Sequence, residues 1–323
     1  MVKKRIEWVD MAKAVAILFM IIGHELSGEA RNFIFSFHMP LFFILSGYTS
    51  RKITSFEGFK NNVAKNFRRM WLFASLMVIL MNLESWVLNP IPMDEFLLHL
   101  VKGIFWGANI LKYDVTNVGV VWFLYAFFWG KLIYDGVCVL IKDWHIEGGI
   151  FLFGAAIAYL LARKELWLPQ TLDIALVAAF FMWMGAVLKQ AKFDEMKHEK
   201  WLLSLAFIYW IVCLTQGLSL DLSVRSYPKF LVTMLEALAG TLVWIKISKY
   251  LLLNQLTQKL SYFGKHTMVL LCIHHLDFYW IKWGGWIQSE FSQVLLRTIL
   301  DLTVFFIVMA IMKLRQKISM ISL

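Results

Sequence analysis

The sequence predicts an all-α integral membrane protein, and three observations carry that class. Hydrophobic residues fill 60% of the 323 positions and charged residues only 17%, far from the roughly 45–50% and 25% of soluble domains. Mean hydropathy is +0.65. Apolar runs of about 17–22 residues, long enough to cross a bilayer as helices, recur along the whole chain and are separated by basic connections.

The first run, "MAKAVAILFMIIGHELSG", lies near 11–29 behind the basic "MVKKR". It continues through Glu25 without a small-residue cleavage pattern, which predicts a retained span rather than a signal peptide. A second span is expected near 33–50. The segment "SFEGFKNNVAKNFRRM" follows, with Phe56, Phe59, Val63 and Phe67 at helical spacing and Lys60, Lys65, Arg68 and Arg69 among them. That pattern predicts an amphipathic helix near 54–69 on the inner leaflet. After a third span near 70–88, "MDEFLLHLVKGIFW" predicts an outer amphipathic segment near 93–106, begun by Asp94. Further spans are expected near 118–140, which carries Lys131 and Asp135 toward its end, then 148–162, 171–188, 201–219, 229–250, 266–283 and 291–312. The total is about ten transmembrane helices.

An even number puts both termini on one side. Assigning the connections alternately gives 21 basic residues on the side of the termini against 9 opposite, so both termini are expected to be cytoplasmic. This clustering explains the net charge of +10 and argues against nucleic acid as a partner. Cys138, Cys213 and Cys272 each sit in an apolar run and read as packing residues. No Pro/Gly/Ser-rich linker divides the chain, so residues 1–323 read as one transmembrane domain acting in or beside the bilayer.

Ionisable residues inside such runs are costly and must find partners or water. Lys13 and His24 are eleven residues apart, which on a helix is close to a whole number of turns and about 16 Å of rise. They share one face with Ile17 and Met20, a cation toward the inside and an imidazole toward the outside, with Asp10 one turn below to orient Lys13. His38 on the returning span is expected at a depth similar to His24. Glu84, Glu236 and His274 fall at depths that can converge with them on a polar cavity open to the outside, while Glu84 and Asp277 can equally sit at the interface and His275 faces elsewhere. No histidine pair has the spacing of a preformed metal site, and no metal is expected. A Gly-rich phosphate loop and a serine nucleophile elbow are absent from the sequence.

The blocks "WVDMAKAVAILFMIIGH", "FIFSFHMPLFFILSGY", "KNFRRM", "VWFLYAFFW" and "FGKHTMVLLCIH" follow in order. Together they resemble the membrane-bound acyltransferase-3 family, in its branch similar to fucose 4-O-acetylases, over nearly the whole chain. The resemblance implies an O-acyltransferase of the plasma (inner) membrane, drawing on cytoplasmic acetyl-CoA or another acyl-CoA and modifying a hydroxyl of a cell-surface or lipid-linked carbohydrate. The family's Arg-x10-His motif falls on Lys13 and His24, with lysine for arginine, and its Arg-x-x-Arg motif on Lys65 and Arg68, or one step on at Arg68 and Arg69. These cations are then expected to hold the donor. The late family histidine matches His274.

In this reading His24 is the general base, a carboxylate (Glu236 or Glu84) fixes its tautomer, and His38 and Trp122 are candidates to face the oxyanion. An acyl-histidine intermediate on His24 is the variant mechanism. A transporter or flippase with a His/Glu proton relay, or a membrane sensing domain, is the alternative reading. Self-association into a homo-oligomer stays open.

Overall fold

A computed structural model describes residues 5–108, 118–193, 198–277 and 283–321. Lys3, Lys4, Lys112, Lys197 and Lys282, counted above for topology, lie outside the described residues. The described chain is helical, with an antiparallel bridge joining Asp221 and Ser226.

The long elements are α1 (Glu7–Gly23), α2 (Gly28–Phe35), α3 (His38–Thr49), α4 (Phe56–Leu88), α5 (Met93–Trp106) and α6 (Trp122–Leu140). They continue as α7 (Trp144–Arg163), α8 (Leu172–Gln190), α9 (Glu199–Thr215), α10 (Phe230–Leu251), α11 (Thr267–Leu276) and α12 (Glu290–Ile321). Among the described residues six helical stretches are long and apolar enough to cross a membrane, those of α4, α6, α7, α8, α10 and α12. The other four expected spans are shorter helices. The first is α1, with 17 residues. The second is split into α2 and α3, of 8 and 12 residues. The seventh is α9, with 17, and the described part of the ninth is α11, with 10, residues 278–282 of that expected span lying outside the described residues.

The inner amphipathic segment is not a separate surface helix. Ser55 caps it by accepting from the Gly58 amide at 3.1 Å, and it then runs without a break into the third span to make the 33-residue α4. A π turn at Phe67–Trp71 marks the junction. By contrast, α5 is a separate helix that buries Phe96 and Gly103 and exposes most of its apolar residues.

At the centre stands α8, packed by α3, α6 and α7. Its approach to α3 depends on glycine, since a Cβ on Gly47 would lie 1.8 Å from the Met182 carbonyl oxygen and one on Gly185 would lie 1.9 Å from that of Ile44. Small residues of this kind let helix backbones touch inside a bilayer. On its other side α1 meets α10, and it crosses the short helix Ser261–Lys265 where Gly264 approaches the Asp10 carbonyl. One apolar core fills the space around α8, and a second gathers Phe37, Leu41 and Trp210 between α1, α3, α9 and α10.

Candidate active site

A cavity of about 390 Å³ runs beside α1, lined along that helix by Lys13, Ile17, Met20 and His24. The stripe predicted from eleven-residue spacing is therefore a wall of one chamber. Phe35, His38 and Trp122 line it as well, and so does Ser223. Lys65, Arg69 and Lys131 complete the cationic part of the lining.

His24 caps the C-terminus of α1 and is exposed to the cavity. The last carbonyls of a helix lack intrahelical partners, and the ring turns back onto one of them, with Nδ1 2.7 Å from the Met20 oxygen. A carbonyl oxygen only accepts, so Nδ1 carries the proton and Nε2 keeps its lone pair. The same Nδ1 lies 3.2 Å from Nε2 of His274. His274 in turn has Nδ1 2.8 Å from Oδ2 of Asp301. The series is Asp301, His274, His24: a carboxylate orients one imidazole, which backs a second.

Around this chain the charges are enclosed. His274, Asp277, Arg297 and Asp301 are all buried. Arg297 donates to both carboxylate oxygens of Asp277, at 2.7 and 2.5 Å, and also pairs with Glu25. One ligand atom from each of His274, Asp277 and Asp301 falls within 4.8 Å of the others, a spacing a metal ion could use. The bidentate Arg297 fork on Asp277 and the His274 to Asp301 hydrogen bond already engage these atoms.

The carboxylate behind the imidazoles is thus Asp301, in place of the expected Glu236 or Glu84. Glu236 is buried elsewhere, its Oε2 accepting from the Leu220 amide at 3.4 Å. Nearby, Trp210 donates to the Ser36 hydroxyl at 2.9 Å. His38 lines the cavity and donates from Nδ1 to the Ile34 carbonyl at 2.9 Å. The Phe35 ring lies between the two, 5.7 Å from His24 and 4.8 Å from His38. His275 packs toward α4, with Nε2 3.4 Å from the Met77 oxygen.

At the cationic end, Lys65 and Arg69 line the cavity, whereas Arg68 is exposed outside the described lining. Asp10 takes the guanidinium of Arg5, with Nε at 2.5 Å and Nη2 at 3.2 Å. Sequence reasoning missed Lys131, which is buried and bonded to Asp135 at 2.5 Å, with Asn62 donating to the other oxygen of Asp135 at 2.5 Å. The visible signal was an i, i+4 pair of opposite charges inside an apolar run. Asp301 was legible the same way, a lone carboxylate in "TILDLTVFF" one turn beyond Arg297.

A short hairpin also reaches the cavity. Asp221 and Ser226 exchange backbone hydrogen bonds at 3.1 and 2.9 Å. Ser223 at its tip donates to Asp221 at 2.6 Å and reaches the cavity. Two ion pairs fix it, Arg31 to Asp221 and Arg225 to Asp173, both at 2.8 Å. The Arg225 guanidinium also lies 3.8 Å over the Trp167 ring.

No curated protein and no solved structure matches this chain. The model of one family does, the acyltransferase domain known as acyltransferase-3, over residues 6–313. A match across that much of the chain, with its apolar helices, establishes that this protein belongs to the membrane-bound acyltransferase-3 family.

Proposed function

We propose that the protein is a membrane O-acetyltransferase of the fucose 4-O-acetylase-like branch. It moves the acetyl group of cytoplasmic acetyl-CoA onto a hydroxyl of a cell-surface or lipid-linked carbohydrate, and it resides in the plasma membrane. The observation that carries this reading is the tautomer of His24. With Nδ1–H committed to the Met20 carbonyl and to His274, Nε2 is left as a base in a residue that lines the cavity.

In the step that follows, Nε2 takes the proton of the acceptor hydroxyl as its oxygen attacks the thioester carbonyl. The resulting oxyanion faces Trp122 along the lining, whereas the one proton of His38 is already given to the Ile34 carbonyl. When the intermediate collapses, the C–S bond breaks and the His24 imidazolium returns its proton to the departing thiolate. His274 and Asp301 hold the ring in orientation and stabilise its transient charge, as a carboxylate does behind a catalytic histidine. Lys13, Lys65, Arg69 and Lys131 meet the donor's negative charge, and the narrow apolar stretch at Ile17 and Met20 suits its pantetheine arm. A ten-crossing topology with both termini cytoplasmic accompanies this reading, supported by the uneven distribution of basic residues.

The test is transfer and hydrolysis of radiolabelled acetyl-CoA by purified protein in nanodiscs with a panel of sugar acceptors. His24→Ala is expected to lower turnover by about 10²–10⁴-fold, the usual worth of a general base. Wild-type protein that is folded yet consumes no donor with any acceptor would instead favour transport by the same imidazole pair.

A further inference from the structure

The cavity beside α1 accommodates an acyl group and a slender arm, but a coenzyme A nucleotide must lie beyond its mouth. A shallow trough lined by Ser50, Arg51, Asn62 and Lys65 continues from that mouth. Across Ser50 and Arg51 it joins a second recess of about 490 Å³, set between the ends of α3, α7 and α8. None of the motifs discussed above claims this recess.

Its chemistry is specific. Two indoles contribute, Trp144 from the first turn of α7 and Trp183 from α8. Trp183 stacks on Phe180 at 14°, and its ring lies against α7 because position 148 is glycine, where a Cβ would come within 2.4 Å of it. The Trp183 indole nitrogen is buried with no hydrogen-bond partner. Glu147 sits deep, its side chain 4% exposed, bonded to Lys52 at 2.5 Å. Arg51 and Lys189 stand at the rim, Lys189 donating to the Ser50 carbonyl at 3.1 Å. Flat π faces with a carboxylate below and cations above match a purine carrying an amino group and a phosphate. A lipid phosphate finds cations there too, but it has no use for a buried carboxylate or for two indoles.

Resting on the donor assignment made above, we propose that this recess is the subsite for the 3′-phosphoadenosine end of the donor. The adenine lies against Trp144 and Trp183, its amino group donating to Glu147. The 3′-phosphate meets Arg51 and Lys189.

The experiment compares acetyl-CoA, acetyl-dephospho-CoA and S-acetyl-pantetheine as donors for wild type, Arg51→Ala and Trp144→Ala, and measures CoA binding by calorimetry on the same nanodiscs. Arg51 and Trp144 are exposed, so the variants keep their fold. Arg51→Ala is expected to raise KM for acetyl-CoA about tenfold, the loss of one charge-assisted phosphate contact, with little change for the other two donors. Trp144→Ala is expected to raise KM for both nucleotide donors and not for S-acetyl-pantetheine. Equal shifts for all three donors, or shifts that appear only with anionic lipid in the disc, would overturn the subsite. CoA that binds wild type and both variants alike would overturn the subsite and spare the acyltransfer reading. CoA that neither binds nor is consumed would remove both.

Discussion

At the scale of the residue, the site turns on which nitrogen of each imidazole is occupied. Met20 and Asp301 accept, so the protons on His24 and His274 are assigned by their neighbours, and a basic nitrogen is left on His24. Asp301→Asn keeps the shape but can offer its amide to His274, which moves the His274 proton to Nε2 and sets it against the Nδ1–H of His24 that Met20 holds. Turnover is expected to fall by about 10–10³-fold, less than the full loss of a base, with KM for the donor unchanged. Steady-state kinetics on folded protein decides this, and an equal rise in KM would speak for a structural role. Glu236→Gln tests the competing carboxylate. Because Glu236 serves the Leu220 amide and a neutral oxygen accepts equally well, turnover within about threefold of wild type is expected, an energy difference below about 0.7 kcal/mol. A collapse in turnover would return Glu236 to the catalytic set.

Elements carry a different kind of information. The crossing of α3 and α8 is set by backbone contact at Gly47 and Gly185, and no flexible side chain can move aside there. Gly47→Val is expected to destabilise the folded protein by about 3 kcal/mol or more, at the upper end of the cost of overpacking. Gly149→Val, whose Cβ meets nothing within 4 Å, is the control. Thermal unfolding in detergent should separate the two clearly, and equal midpoints would mean that the crossing yields. The π turn in α4 is also an element-scale feature. It carries Arg68 and Arg69 between the cytoplasmic-type amphipathic stretch and the apolar stretch, a common place for such turns near function.

For the whole molecule, helices and polarity were legible in composition, and one wall of the cavity was legible in the spacing of Lys13 and His24. Helix periodicity reports which residues share a face, so the α1 stripe followed directly. It does not report which helices meet, and the His24 to His274 contact spans 250 positions. For the same reason Glu236 looked like the partner of His24: a carboxylate in an apolar run signals a polar neighbour without naming it. Asp301 and Lys131 gave the same signal and went unused. Span lengths were less legible: α1 and α9 have 17 residues, the low end of what crosses a bilayer, the second expected span is split into α2 and α3, and α11 has 10. Similarly, the run of charge at 54–69 resembled a surface helix, although nothing in "KNFRRMWLF" stops the helix from continuing. The hairpin at Asp221–Ser226 was invisible, since its fixing ion pairs join residues from three distant segments.

That hairpin has a consequence for diversification. Its conformation is held by two salt bridges and one bridge of its own backbone, and a single tip residue touches the chamber. Such a segment can be recast at its tip without touching the series Asp301, His274, His24, provided Arg31 and Asp173 keep their counterparts. Grafting residues 220–227 from a family member with a different acceptor is expected to carry over that acceptor preference, read as the ratio of kcat/KM for the two sugars, with donor hydrolysis unaltered. An unchanged ratio would locate acceptor choice elsewhere.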